Sequence, residues 1–426
     1  MRPVDSGSLV LGLVAIVAVV STVWSMGCLL WVTRRRKGLP DHTPPVTIYK
    51  PLKGMDEGLA ENLRSFFQLD YPAYQLVFGV AEANDPAIEV VRKLQAEFPE
   101  HDSRLVVGTP AFGLNPKVEN LAAMERYRKH DVILISDSNV RVRPNYLRET
   151  ACYLAEPGVG LVSNLFAGVG EEDAGAVMEN LHLNGFIAAA VAGAAVMRIT
   201  CVVGKSMLMP VAALEAIGGL AAVRNLLAED QAIGVRVRQA GYSIRLSHHV
   251  IDNVNARRGF QWFLNRHSRW YKIRRRMALP AFLAEPAANL TAVGLVWAFS
   301  GEIGIAWGGL ALLVGLGLVR DAFQTRWLRG SFPRLRHLLF SPAKDILLLG
   351  VWFDAIVNRR VRWRGHSFLV GRMTRLRIAP VTRQVRRRVR RVRQLRQRQA
   401  IVPPVAPGSP SIEANRPAAD GHRARD

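Results

Sequence analysis

The chain has 426 residues, with Lys+Arg 57 against Asp+Glu 34, a net charge of +23, and 49% hydrophobic residues. That length buries a core without staples, and three cysteines (Cys28, Cys152, Cys201) with no C-x-x-C exclude a zinc ribbon and a disulfide framework. The composition excludes a small secreted scaffold, and long apolar runs argue against an ordinary soluble enzyme.

Leu9 to Val32 carries no charge. As a helix it reaches roughly 36 Å, enough to cross a bilayer core with tilt. It runs directly into Arg34-Arg35-Arg36-Lys37 with no small-residue cleavage site, so a retained anchor fits better than a signal peptide. Residues 1–37 are therefore read as an anchor with a basic flank. Because only Arg2 precedes the span, residues 33 onward are expected in the cytoplasm.

Residues 38–258 read as one cytoplasmic domain. Val46–Tyr49, Gln75–Ala81, Arg104–Val107 and Asp131–Ser136 read as buried strands. Glu57–Gln68, Pro86–Phe98, Lys117–Lys129 and Pro144–Ala155 read as the helices between them. That alternation predicts an α/β fold with a mainly parallel, three-layer sheet, whose ligands bind beyond the carboxyl ends of the strands. The rule selects Lys50, Lys53, Asp85, Asp137 and Asn139. In Ile135-Ser136-Asp137-Ser138-Asn139, oxygen-bearing side chains two residues apart point the same way. Such hard ligands hold Mg²⁺ or Mn²⁺ bridging a diphosphate, although strand-end Asp-Ser-Asn is also ordinary turn chemistry. Further on, Glu229 or Asp230 either caps the helix Gln231–Ala240 or presents a general base to an acceptor hydroxyl. Gly185–Met197, alanine-rich and uncharged, reads as a close-packed helix or the lining of a lipid entrance. His182, His248 and His249 lack metal spacing and read as structural, and nothing beside Cys201 argues for a nucleophile.

Residues 259–280 read as an interfacial amphipathic helix. In it Arg266 and Arg269, at i and i+3, either clamp a diphosphate or meet lipid headgroups. Residues 281–358 form a membrane region. Pro286–Val319, broken at Ser300-Gly301-Glu302 and flanked by arginines, predicts a hairpin of two short helices. Leu338–Val357, with Lys344, Asp345 and Asp354, predicts a re-entrant or interfacial segment. Residues 359–400 are a basic segment, with 16 arginines and no lysine between Arg359 and Arg398. Val385, Val389, Val392 and Leu395 recur at helical spacing, which suits a helix on an anionic membrane surface. A solvated tail is the plain alternative, and the scarcity of aromatics argues against nucleic acid. Residues 401–426 read as disordered.

Taken together, a strand-end Asp, D-x-N, E-D before a helix and R-x-x-R-W before membrane spans resemble the D, D, D, (Q/R)-x-x-R-W signature. That signature belongs to membrane-embedded inverting glycosyltransferases of GT-A fold. Lys50-Pro51-Leu52-Lys53-Gly54, Phe66-Phe67-Gln68-Leu69-Asp70-Tyr71-Pro72 and Asn84-Asp85-Pro86-Ala87 narrow the resemblance to the ceramide glucosyltransferases of glycosyltransferase family 21. So do Gly113-Leu114-Asn115-Pro116-Lys117, Cys201-Val202-Val203-Gly204-Lys205-Ser206 and Val361-Arg362-Trp363-Arg364-Gly365. It covers residues 44–370.

The resemblance implies a UDP-sugar donor, a ceramide-like lipid acceptor and a divalent cation. It gives Asp85 to nucleoside recognition, Lys117 and Asn120 to the uridine pocket, and Asp137 (with Asn139 where D-x-D has its second acid) to the metal and diphosphate. Lys50 joins the donor site, Asp230 is the base, and Arg266, Arg269 and Trp270 grip the diphosphate and shape the acceptor site. It further implies a multi-pass membrane protein, and the Ala/Arg-rich composition suits the inner membrane of a GC-rich bacterium. A hopanoid-type acceptor is the near alternative. A non-enzymatic polybasic membrane protein is the alternative of another class.

Overall fold

The computed structural model describes residues 6–34, 38–300, 303–363 and 366–378. The tail helix expected around Val385–Leu395, the disordered end and the basic Arg35–Lys37 lie outside the described residues.

Ser6–Val32 forms α1, one uninterrupted helix. It exposes Val10, Leu13, Ile16, Val17, Val20 and Val23, an apolar surface that water does not favour. The domain then alternates β1 (Val46–Leu52), α2 (Leu59–Phe67), β2 (Tyr74–Val80), α3 (Ala87–Glu97), β3 (Ser103–Val107), α4 (Pro116–Glu125) and β4 (Val132–Ser136). These are the strands and helices the sequence predicts. β1 is buried along its whole length, as expected of a strand covered on both faces. Asn115 starts α4 by accepting from the amides of Lys117 and Val118, and Pro116 fits the first helical position.

Beyond β4 come β5 (Val140–Arg141), α5 (Tyr146–Ala151), β6 (Val159–Val169), α6 (Ala174–His182), α7 (Ala188–Val196), β7 (Ser206–Pro210), α8 (Val211–Glu215), α9 (Glu229–Gln239) and β8 (Ser243–Val254). The eight strands form one sheet in the order β3-β2-β1-β4-β7-β6-β8-β5. The sheet is less parallel than expected. β7 runs antiparallel between β4 and β6, pairing Ser136 with Ser206, and β5 is antiparallel to β8. β7 thus begins at the edge where β4 ends, which places residues 137 and 205 opposite each other.

A turn of π-helix, Leu183–Ile187, joins α6 to α7. The Gly185–Met197 stretch is therefore the end of a longer helix packed on α1 and α13 (Ile303–Arg329). At Gly185 a Cβ would lie 2.1 Å from Asp321 Oδ1, and at Gly193 one would lie 2.8 Å from the Trp24 ring, so both helices approach as only glycine permits.

The interfacial segment is α10 (Phe260–Met277), followed by α11 (Leu279–Ala284) and α12 (Leu290–Ser300). The pair Leu279–Ala288 and Leu290–Phe299 is bent by 60°. α12 packs on α13 as the expected hairpin, but α13 is long rather than short and runs ten residues past Val319. Among the described residues two helices, Val10–Val32 and Ala306–Arg329, are long and apolar enough to cross a membrane. Arg320 is accordingly no flanking charge. It is buried and paired with Asp321 at 2.8 Å, while Lys344 reaches Asp321 and Asp345, each at 3.0 Å. The third region becomes α14 (Leu335–Leu338) and α15 (Phe340–Val357), and α15 lies against α10. Its charges pair inside the protein, which explains how a segment with Lys344 and Asp345 can be buried.

Finally, β9 (Arg360–Trp363), β10 (His366–Val370) and β11 (Leu376–Ile378) form a small antiparallel sheet. The first part of the expected basic segment is therefore folded. Val361, Phe368, Val370 and Leu376 bury against Leu227, just before α9.

Candidate active site

At the shared end of β4 and β7 three lysines surround Asp137. Lys117, on the first turn of α4, lies 2.8 Å from Asp137 Oδ1 and 3.0 Å from Glu229 Oε1. Lys205 Nζ lies 3.1 Å from Asp137 Oδ2 and donates to Asn139 Oδ1 at 2.8 Å. Lys50, fully buried on β1, donates to the Asp137 carbonyl at 2.7 Å and stands over the Phe66 ring at 3.7 Å.

The electrostatics follow from this crowding. Burial would raise the Asp137 carboxyl, yet Lys117 and Lys205 outweigh it and hold it far below the usual carboxylate range. Burial likewise opposes the Lys117 ammonium, but Asp137, Glu229 and Asp230 keep it above the ordinary lysine value. Lys205 is pushed down to about 8, by burial first and by Arg266 among its neighbours, with Asp137 opposing. Burial lowers Lys50 well below the lysine range.

Asp230 sits on the first turn of α9, half-buried beside this cluster. Its Oδ2 accepts from the Gly204 amide at 2.7 Å and its Oδ1 from the Gln231 amide at 2.7 Å. Burial, with the neighbouring Glu229, raises its carboxyl to about 6 against the pull of Lys117 and those amides. A Cβ at Gly204 would stand 3.0 Å from both Asp230 Oδ2 and Lys117 Nζ, so the residue between them has to be small. Glu229, the other acid of the pair, is committed to Lys117 and to the Asn115 side chain at 3.1 Å.

α10 supplies Arg266, which pairs with the fully buried Glu179 at 3.0 Å and stacks between Trp262 (5.0 Å) and Trp270 (4.6 Å). His267 Nε2 donates to the same carboxylate, 2.7 Å away. Burial would raise Glu179, but Arg266 and His267 depress it to about 2.

A family model described as Glycosyl transferase family 21 matches residues 12–376. The chain belongs to that family. Ceramide glucosyltransferase 3 of Caenorhabditis elegans is 28% identical over 343 residues, covering 76% of this chain and 72% of the relative. Ceramide glucosyltransferase 1 of the same organism is 29% identical, with 61% of this chain and 56% of the relative covered. The ceramide glucosyltransferase of Komagataella phaffii is 40% identical over a shorter stretch, 25% of this chain and 22% of the relative. Among solved structures, a mannosyltransferase of Pyrobaculum calidifontis in complex with GDP-Man and Mn²⁺ aligns with a TM-score of 0.49 at 17% identity. That alignment covers 81% of this chain and 99% of the other. The family 21 chain is thus a glycosyltransferase, with an α/β domain built on an eight-stranded mixed sheet and, among the described residues, two helices long and apolar enough to cross a membrane.

The structure brings Lys117, Asp137, Asn139, Asp230 and Arg266 to one end of the sheet. Several of the expected site residues are already engaged within the protein. Lys50 is sealed beneath Asp137 and donates to its backbone carbonyl. Asp85 spends its carboxylate on the Gly54 amide (2.8 Å) and the Ala87 amide (2.9 Å), pinning the loop after β1 to α3. Asn120 donates to Leu52 O and Gly79 O, tying α4 to β1 and β2. Arg266 and Arg269 diverge, the second turning to Trp363 of β9 at 5.8 Å.

The expected cation pair fares differently again. A divalent ion on Asp137 and Asn139 does not fit, because one lysine ammonium already bridges those oxygens and a second takes the other Asp137 oxygen. Among the described residues no three His, Cys, Asp or Glu side chains gather to hold a metal. Lys205, Glu179 and Gly204 went unassigned from sequence. Lys205 stands in the quoted Cys201–Ser206 motif, and only the antiparallel course of β7 gives it meaning. The histidines are structural as expected: His249 pairs with Glu149 at 2.6 Å, and His248 and His182 pack against Tyr153 and Phe186. Burial and Asp230 push the Cys201 thiol up to about 11, the wrong direction for a nucleophile.

Proposed function

We propose that this family 21 chain moves glucose from UDP-glucose to the primary hydroxyl of a ceramide-type lipid, with inversion at the anomeric carbon. The observation that carries the reading is Asp230. A carboxylate whose proton affinity lies near neutrality, at the mouth of a cationic cluster, is matched to general-base work. Asp230 takes the acceptor proton as the hydroxyl oxygen forms its bond to the anomeric carbon. The bond from that carbon to UDP breaks on the opposite face, and both electrons leave with the diphosphate. The cations around Asp137, with Arg266 held rigid between two tryptophans, meet the charge that builds there. In this reading Trp270, under Arg266, and Arg269, over Trp363, shape the side from which the lipid hydroxyl arrives. The basic cluster after α1 supports a cytoplasmic face for residues 33 onward.

The test uses membranes containing the full chain, a ceramide acceptor, and radiolabelled UDP-glucose beside UDP-GlcNAc and UDP-galactose, with Asp230→Asn in parallel. Label entering ceramide from UDP-glucose and vanishing in the variant supports the reading. Transfer only to another lipid alcohol, such as a hopanoid, moves the acceptor assignment. Transfer from none of the donors to any lipid refutes it.

A further inference from the structure

Asp137 and Lys205 face each other because of strand direction. Ser136 ends β4, Ser206 begins the antiparallel β7, and the two are register partners. One step further along each chain the pair becomes Asp137 and Lys205. Lys205 Nζ then bridges Asp137 Oδ2 at 3.1 Å and Asn139 Oδ1 at 2.8 Å. Those are the two oxygens that a divalent ion would share, and the separations are those of hydrogen bonds rather than the roughly 2.1 Å of a magnesium–oxygen bond.

Proton counting shows what remains. An ammonium has three N–H donors. Lys117 spreads its own over Asp137 Oδ1, Glu229 Oε1 and, at 3.5 Å, Gly204 O. Lys205 directs two of its three at Asp137 and Asn139. The side chain is buried, with a relative exposure of 6%, yet it sits at the ligand-binding edge of the sheet. Lys205 stands one residue before β7, whose Ser206 pairs with β4 and whose Met207 and Leu208 pair with β6. Arg266 is near enough to depress Lys205, so a second cation flanks the same place. A rigidly rooted ammonium with a donor to spare, beside a guanidinium, is suited to oxyanions that carry several acceptors, of which a diphosphate is the type.

We infer that the Lys205 ammonium is the built-in cation of the diphosphate subsite, standing where a divalent ion would otherwise bridge protein and donor, so that this chain binds a nucleoside diphosphate without metal. The inference rests on the nucleotide-sugar reading above. It also gives Asn139 a purpose that a lost carboxylate otherwise lacks. An amide oxygen orients the ammonium without adding a second negative charge, which would neutralise it.

The experiment measures UDP binding to the purified full-length protein by calorimetry, first in EDTA and then with excess Mg²⁺ or Mn²⁺. Affinity is expected to agree within about threefold across the buffers. Lys205→Met is expected to weaken binding in EDTA about ten- to hundredfold, the range for losing one charged hydrogen bond. Lys205→Arg keeps the charge and is expected to stay within a few-fold of wild type, which also covers the case in which the methionine variant fails to fold. Binding that appears only when metal is added, or Lys205→Met binding as tightly as wild type, overturns the inference and leaves the nucleotide-sugar reading intact. No UDP binding in either buffer overturns both.

Discussion

Replacing Asp230 by Asn should abolish transfer and stabilise the protein at the same time, and the second effect has a calculable pH dependence. The carboxyl rises from 3.8 to about 6 in the folded chain, chiefly through burial and then Glu229. A group whose folded-state pKa is raised supports the fold below its unfolded pKa and loses that contribution as pH climbs through the folded one. At pH 8 both states are ionised, and about two pKa units make the charge cost at most about 3 kcal/mol. At pH 5 the folded group is mostly neutral and the cost is roughly half of that. Asn removes the charge but offers one oxygen where two amides, those of Gly204 and Gln231, now donate, a loss of about 1 kcal/mol at any pH. The expected gain is therefore about 2 kcal/mol at pH 8 and close to nothing at pH 5. Thermal unfolding of both proteins in one detergent at the two pH values reads it. A melting temperature that rises by a few degrees at pH 8 only is the expected result. An Asn variant no more stable than wild type at pH 8, or shifted equally at both values, refutes the reasoning that Asp230 is held charged against its surroundings.

The same group sets the pH profile. kcat/KM for transfer should climb tenfold per unit below about pH 6 and flatten above it, since only the carboxylate accepts a proton; a profile flat between pH 5 and 7 rules out Asp230 as the base. Glu179→Gln leaves Arg266 buried without its counter-charge and should cost about 3–5 kcal/mol of stability, seen as a lower melting temperature. Gly204→Ala forces Lys117 and Asp230 apart by a few tenths of an ångström and should depress kcat with little change in melting temperature; unchanged kcat would mean the two groups need not adjoin. Deleting residues 380–426 should leave most transferase activity in a membrane assay, because every residue placed at the site precedes them. Loss of all activity would favour the polybasic-protein reading.

The first half of the sheet was legible because β1, β2 and β4 are apolar runs bounded by turn residues, a pattern set by burial on both faces, whereas β3, also expected to be buried, is an edge strand with only Val106 fully covered. β6 and β8 escaped it, since Asn164, Ser247, His248, His249 and Asn253 interrupt the runs, and the first four find side-chain partners only in the folded sheet. The acids of the site, Asp137 and Asp230, stood out through strand-end and helix-start positions. Asp85 stood out equally, and the motif around it does not tell a ligand from a loop clamp. Lys205 and Glu179 were silent for another reason. Each takes its role from a residue far along the chain, Asp137 and Arg266, and pairing across such distances leaves no local period to read. The same holds for the β9–β11 sheet, whose burial depends on Leu227.

The contact between Gly185 and Asp321 has a consequence for how a lipid is reached. The helix carrying Gly185 continues from α6, whose Glu179 holds Arg266, while Asp321 belongs to α13. Backbone meets side chain there without an intervening methylene, and Lys344 and Ser341 clamp the far side of the same carboxylate. Little compliance remains between the cleft and the apolar helix. On the proposed lipid-transfer reading, the cleft is then held at a fixed height relative to α13, and acceptors are expected to be sorted by how far the hydroxyl protrudes, before any pocket recognises what the head is made of.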